Sequence, residues 1–141
     1  MITHDTKIRV WYKHTDQMGF VHHSNYIRWF EEARVDLLEQ LGFGYDRIEA
    51  AGYSGPVLEV SCQYKTMSKF GETVSIQAAI TQYNGVRMTL HYNVFDKATG
   101  ELRCTGDSRH CFINSDGHPA ILRRCWPEFD AALASHVTAE K

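Results

Sequence analysis

HTDQMGFVHHSNY, residues 14–26, packs three histidines, one aspartate and one glycine into thirteen positions that show neither strand alternation nor helical periodicity. The next stretch is strongly periodic. From Tyr26 the apolar positions Tyr26, Phe30, Ala33, Leu37 and Leu41 recur at spacings of three and four, and Ile27 and Leu38 widen the stripe. Arg28, Glu31, Glu32, Asp36 and Glu39 fall mostly on the other side, which predicts an amphipathic helix. Gly42 stands where a left-handed C-terminal residue is wanted. At the front, Ser24 or Asn25 is placed to cap the exposed N–H groups, so the helix is expected to begin inside the quoted stretch. Upstream, residues 7–13 (KIRVWYK) alternate well enough for a short strand.

Beyond the helix, a glycine-rich connection (GFGYDRIEAAGYSGP) reads as loop and the rest as strands: 57–65, 73–83, 86–95 and 101–113. Val74, Ile76, Ala78 and Ile80 share one face of the second of these. Asn84-Gly85 is a strong hairpin signal, because both residues tolerate positive φ. Lys97 to Gly100 and Asn114 to Gly117 are further turns, and Pro127 to His136 reads as a short helix. One long helix followed by long strands and tight turns predicts an α+β fold, an antiparallel meander with the helix packed across one face. Gly106, inside the last strand, marks a bulge or a close backbone approach. One helix cannot cover both faces of such a sheet, and Tyr64, Tyr92, Phe95 and Phe112 add aromatic bulk beyond a single strip, so self-association is expected.

At 141 residues the chain has the length of one domain, 1–141, and a domain of that size buries roughly 70% of its unfolded surface. Its 43% hydrophobic and 23% charged residues exclude a disordered or fibrous chain. A formal net charge of −2 removes the electrostatic case for nucleic acid. No run of eighteen apolar residues occurs and Met1 to Val10 lacks a signal-peptide core, so a cytoplasmic chain with no integral membrane segment is expected. Cys62, Cys104, Cys111 and Cys125 lack disulfide-framework or zinc-site spacing and read as buried free thiols.

A loop running into a helix start offers unsatisfied N–H groups and the positive end of the helix dipole, both suited to a developing negative charge. Asp16 is the only carboxylate in the loop, and Met18-Gly19 lets the chain turn between it and the helix. Together these make an oxyanion site with an adjacent base or nucleophile, fitted to acyl transfer. Two other readings stand beside this one. An aspartate in a Thr-Asp-Gln turn often only bonds its own backbone. His14, Asp16, His22 and His23 also supply metal-ligand types, although adjacent histidines in an extended segment point apart and no His-x-x-x-His pair lies on the helix.

The run from Tyr12 through Thr15-Asp16, Gly19, Val21, His23 and Asn25-Tyr26, continued by Phe30-Glu31-Glu-Ala33-Arg34, closely resembles the signature of the 4-hydroxybenzoyl-CoA thioesterase family of hotdog-fold proteins. It is most similar to the short acyl-CoA thioesterase branch that includes the Tol-Pal-associated thioesterases. The similarity continues through Tyr83-Asn84-Gly85-Val86-Arg87, Gly100-Glu101-Leu102 and Cys111-Phe112-Ile113, about residues 7–122. The resemblance implies a hotdog fold, a long helix wrapped by an antiparallel sheet and paired into dimers or dimers of dimers, up to a homotetramer. It implies hydrolysis of a small or medium acyl-CoA to free acid and coenzyme A, with no cofactor and no metal. The family's catalytic aspartate falls on Asp16, as nucleophile or general base, and the backbone N–H that polarises the thioester carbonyl falls on His23. Gly19, Asn25 and Tyr26 match the rest of the motif as substrate-binding positions, whereas His22 stands where many relatives carry tyrosine.

Coenzyme A phosphates need cations. Lys65, Lys69 and Arg87, with Arg109, are candidates on the strand region that would border the loop of a second subunit. Glu31 and Arg34 are placed to pair at spacing three, and Trp11, Trp29 and Phe30 read as core rather than as an acyl cage. An acyl-carrier-protein thioesterase would keep the chemistry and change the partner. A non-catalytic acyl-thioester-binding or interaction module would keep the pocket but has no need of Asp16. A hotdog dehydratase is disfavoured, because that branch sets its acidic residue on the helix after a separate histidine motif.

Overall fold

In a computed structural model that describes residues 4–138, strand β1 (His4–Arg9) leads through a 3-10 turn (Tyr12–His14) and the histidine loop into helix α1 (Ser24–Gln40). Helix α2 (Tyr45–Ala50), strands β2 (Val57–Tyr64), β3 (Thr73–Tyr83), β4 (Arg87–Asp96) and β5 (Leu102–Cys111), and helices α3 (Leu122–Cys125) and α4 (Pro127–Ser135) come next. The five strands form one antiparallel sheet in the order β1-β3-β4-β5-β2. The α+β class therefore holds. The simple meander does not: only β3, β4 and β5 follow one another, while β1 and β2 are added at opposite edges.

The core lies between α1 and one sheet face. Trp29, Phe30, Ala33, Leu37 and Leu38 of the helix meet Val74, Ile76, Ala78 and Ile80 of β3 and Met88, Leu90, Tyr92 and Val94 of β4, all buried. Gly106 marks a close approach rather than a bulge, since a Cβ there would collide with the Phe30 ring and the Ser61 carbonyl oxygen. Phe30 in turn stacks on Tyr92 at 4.4 Å between centroids. Helix α1 ends as its sequence predicts: Gly42 takes φ +92°, its N–H donates to Glu39 O, and the Phe43 N–H donates to Leu38 O.

Several local expectations are corrected. The first strand stops at Arg9, because the Trp11 N–H turns to the His14 ring and the Thr15 N–H to Tyr12 O, which winds the chain into the 3-10 turn. The glycine-rich connection contains α2, whose single buried apolar side chain, Ile48, gives too little periodicity to read. At the β3–β4 hairpin only Gly85 has positive φ, and Asn84 acts instead through its side chain, accepting the Val86 and Arg87 N–H groups. Tyr92 and Phe112 belong to the core, whereas Tyr64 is exposed. Trp29 and Phe30 are core as expected, but Trp11 is exposed. The cysteines are free, yet only Cys104 is buried. Arg34 does not pair with Glu31; its guanidinium bonds the hydroxyls of Tyr45 and Tyr92.

Candidate active site

The histidine loop closes on itself. The Asp16 N–H donates to Phe20 O at 2.8 Å and the Gly19 N–H to Asp16 O at 3.1 Å, with Gly19 at φ +83°. That backbone angle favours glycine and explains the residue. The Asp16 carboxylate accepts the Met18 N–H at 2.8 Å and the Phe20 N–H at 3.3 Å, both on Oδ1. The turn role and the chemical role are thus compatible: one oxygen fixes the carboxylate, and Oδ2 takes no hydrogen bond among the described residues.

At the helix start the expected side-chain cap is absent. Ser24 Oγ pairs with His22 Nδ1 at 2.9 Å, and Asn25 Nδ2 donates to His14 O at 2.9 Å, so both candidate caps are turned to the loop. The Ser24 N–H reaches the His22 ring, the Asn25 N–H reaches His22 O and the Tyr26 N–H reaches His23 O. The His23 N–H has no acceptor among the described residues. It is a free donor at the positive end of a seventeen-residue helix.

Asp16 and His23 line one cavity of about 250 Å³, together with Tyr26, Tyr64, Lys65, Phe20, Val21, His22, Thr66 and Met67. Tyr64 Oη donates to His23 O at 3.3 Å, and its ring packs against Tyr26 at 5.4 Å. The cavity's far wall, residues 65–67, is held by buried Arg103, which donates to Met67 O at 2.7 Å and pairs with Glu72 at 2.9 Å. Burial pushes the Tyr26 phenol above its usual range, and desolvation does the same to Tyr64. The Cys62 thiol is drawn below its usual range by its contact with the Cys104 thiol.

Of the predicted site residues, Asp16, His23, Tyr26 and Lys65 come together. Gly19 shapes the turn without lining the cavity, and Asn25 ties the helix to the loop on another side. The Lys69 amine lies 5.9 Å above the Phe20 ring, beside the cavity. Arg87 and Arg109 line a separate cavity of about 440 Å³ with Gln82, Tyr83, Asn84 and Thr89, at the opposite end of β5 from Tyr64. His14 accepts the Trp11 N–H and packs on Trp29, and no group of three ligating side chains among the described residues could hold a metal ion. Tyr64, Phe20, Thr66 and Met67 escaped the sequence reading as site residues. Phe20 belongs to the loop itself, whereas the packing of the end of β2 against the start of α1 brings the other three there.

Residues 10–137 match the model of the thioesterase-like superfamily. The chain belongs to that superfamily. Its hotdog fold and its enzyme class, a thioester hydrolase, accordingly stand as the motif implied. The protein YneP of Bacillus subtilis, provisionally described as an acyl-CoA thioesterase, is 35% identical over 127 residues, 89% of this chain and 91% of that one. Among solved structures, a DHNA-CoA thioesterase from Staphylococcus aureus superposes with a TM-score of 0.90 at 34% identity, covering 96% of this chain and 91% of its own. The hypothetical protein TT1821 of Thermus thermophilus superposes at 0.88 with 31% identity, covering 97% and 99%.

Proposed function

We propose that the protein hydrolyses the thioester of a small or medium acyl-CoA to the free acid and coenzyme A, using Asp16 and the N-terminus of α1. One observation carries this reading: a carboxylate with a free oxygen and a helix-start N–H with no acceptor line the same cavity. The thioester carbonyl oxygen accepts the His23 N–H, which with the helix dipole stabilises the oxyanion as the carbonyl carbon becomes tetrahedral. As a general base, Asp16 takes a proton from water as its oxygen bonds the carbonyl carbon. The C–S bond then breaks, and the proton passes to the departing thiolate. As a nucleophile, an Asp16 carboxylate oxygen bonds the carbonyl carbon, the C–S bond breaks to release the coenzyme A thiolate, and water then opens the mixed anhydride to the free acid and the restored carboxylate, its proton going to the thiolate. No cofactor is required in either route. His22, Tyr26 and Tyr64 wall the acyl side of the cavity.

Lys65 stands at the cavity and Lys69 beside it, where they would meet coenzyme A phosphates. The DHNA-CoA thioesterase relative supports a coenzyme A substrate in preference to an acyl carrier protein. We further propose a cytoplasmic homo-oligomer paired through β2, whose free edge is apolar. Antiparallel pairing of two β2 strands sets the Arg87 and Arg109 cavity of one copy toward the Lys65 end of the other, giving those arginines a route to the same coenzyme A. The test is thiol release from a panel of aromatic and aliphatic acyl-CoAs by the wild type and by Asp16→Asn, with chelator present. Hydrolysis that vanishes with Asp16 and survives chelation supports the reading. An inert wild type, or activity lost only to chelator, overturns it.

A further inference from the structure

The cavity at Asp16 is one end of a longer cleft between α1 and β2. Each β2 residue can be assigned to a sheet face by its partner on β5. Val57 lies opposite His110, Val60 opposite Ser108, Cys62 opposite Gly106 and Tyr64 opposite Cys104, so all four look toward the helix. A register shift between Val57 and Glu59 makes this possible, keeping Val57 and Val60 on one face although they are three residues apart. The helix runs antiparallel to this row. His23 and Tyr26 stand by Tyr64, Ile27 and Phe30 by Val60, and Arg34 by Val57. Three cavities succeed one another along the cleft, of about 250, 80 and 480 Å³. Its middle is walled mostly by the apolar Ile27, Phe30, Val57 and Val60, with Glu31, Arg34 and Ser108 at its border.

Arg34 closes the far end, and it is the anomaly of the core. The residue is only 6% exposed, yet no carboxylate of the described residues lies within ion-pair distance of it. Its Nε donates to Tyr45 Oη at 2.9 Å and its Nη1 reaches Tyr92 Oη at 3.5 Å. Tyr92 continues to Ser108 Oγ at 2.6 Å and Ser108 to His110 Nε2 at 2.7 Å, a row of neutral groups that spread the charge without cancelling it. Glu31, which also borders the middle cavity, and Glu49 line the same end cavity but do not pair with the guanidinium. A buried cation without a counter-charge is costly and is ordinarily matched by an anion or a strong acceptor. Arg34 lines both the middle and the end cavity of the cleft, which give access to it.

Resting on the thioesterase reading above, we propose that the acyl group lies along this cleft with its carbonyl at Asp16 and His23, and that Arg34 receives an oxygen at its far end. The substrate class is then an acyl-CoA whose distal end bears a carboxylate or a phenolic oxygen. Eleven helical residues from His23 to Arg34 span roughly 16 Å, and the backward lean of helical side chains shortens the reach by several Å. An extended eight-carbon chain or a two-ring aryl group fits that span, whereas an acetyl group leaves Arg34 untouched.

The experiment uses matched pairs, octanoyl-CoA against octanedioyl-CoA and naphthoyl-CoA against a naphthoyl-CoA hydroxylated on its distal ring. Hydrolysis of each pair is measured alongside equilibrium binding of the corresponding non-hydrolysable CoA thioethers. The wild type is expected to favour the oxygen-bearing member by about tenfold or more in kcat/KM and in affinity, and Arg34→Gln to bring the ratio within about twofold. Val57→Trp, on the strand edge proposed above to pair with a second copy, leaves the core intact, fills the Arg34 end and is expected to erase the same ratio; measured at an oligomeric state matched to wild type by sedimentation, it keeps the test decisive if Arg34→Gln fails to fold. Hydrolysis of both members at equal rates, with the ratio unmoved by either variant, overturns the inference and leaves the thioesterase reading standing. Discriminating thioether binding without hydrolysis upholds the cleft and overturns the hydrolytic reading. Neither binding nor hydrolysis overturns both.

Discussion

The proposed function gives Asp16 a chemical duty beside its place in the turn, and one substitution separates the two. Asp16→Asn keeps an oxygen to accept the Met18 and Phe20 N–H groups and removes only the negative charge. The turn should survive, with a melting temperature close to wild type and KM within about threefold, while kcat falls on the order of 100-fold to 10,000-fold, the range for losing a base at the reacting centre. Asp16→Ala removes the acceptor as well, so it should also lower the melting temperature. A kcat for Asp16→Asn within tenfold of wild type would leave the aspartate as a turn former only. Gly106→Ala is the opposite kind of change, structural and remote from the chemistry. Its methyl would enter the space of the Phe30 ring and the Ser61 carbonyl, and because the second obstacle is backbone, shrinking Phe30 cannot relieve it. A loss of about 1 to 3 kcal/mol in urea unfolding is expected. The close approach at Gly106 was legible as a glycine inside a strand pattern, and the presence of Asp16 at the cavity as the lone carboxylate of an irregular loop. Tyr64 and Arg34 were not legible as cleft residues, because an aromatic in a strand and an arginine on a helix look the same whether they face solvent, core or cleft.

At the scale of elements, the layer between α1 and strands β4 and β5 is unusual in being polar along one row, Tyr92, Ser108 and His110, with Arg34 above it. His110 is almost wholly buried, and desolvation followed by the Arg34 charge lowers its pKa from 6.5 to about 4, against the carbonyls of Pro56 and Gly55, which act in the other sense. Above pH 6.5 the imidazole is neutral in both folded and unfolded chains. Below it, the unfolded chain takes up a proton that the folded one refuses until about pH 4, so stability falls as pH drops through that window. The expected loss is on the order of 3 kcal/mol between neutral pH and pH 4, read from urea midpoints, and His110→Gln should flatten that part of the profile. An equal slope in the variant would remove His110 as its source. Element boundaries followed the sequence wherever alternation was long: β3 begins and ends where its pattern does, and α4 ends within one residue of expectation. They departed where the pattern was short or a side chain intervened, as at α2 and at the 3-10 turn. Strand order could not be read at all, since the pairing of β2 with β5 and of β1 with β3 joins residues about fifty and seventy positions apart.

At the scale of the molecule, one edge is finished and the other is not. The outer strand β1 is short and carries Asp5, Lys7 and Arg9 toward solvent, the charged kind of edge that resists pairing. On β2 every residue but Cys62 is exposed, and Val57, Leu58, Val60 and Tyr64 are large and apolar, with Met67 and Phe70 exposed just beyond. An edge of that length and character on a lone chain is an aggregation site unless something pairs with it. A second copy of the same edge, running antiparallel, meets both needs at once: it satisfies the free backbone groups, and by two-fold symmetry it covers both patches together. The protein should therefore sediment at about twice its 16.2 kDa chain mass or a multiple of that. Leu58→Lys combined with Phe70→Lys sets like charges along the edge without touching Asp16 or the core, and should shift the protein toward monomer in analytical ultracentrifugation. If coenzyme A spans the pair, kcat/KM should fall as the dimer dissociates and recover on raising protein concentration. A wild type that stays monomeric at tens of micromolar would leave the apolar edge to another partner and confine coenzyme A recognition to Lys65 and Lys69 of a single chain.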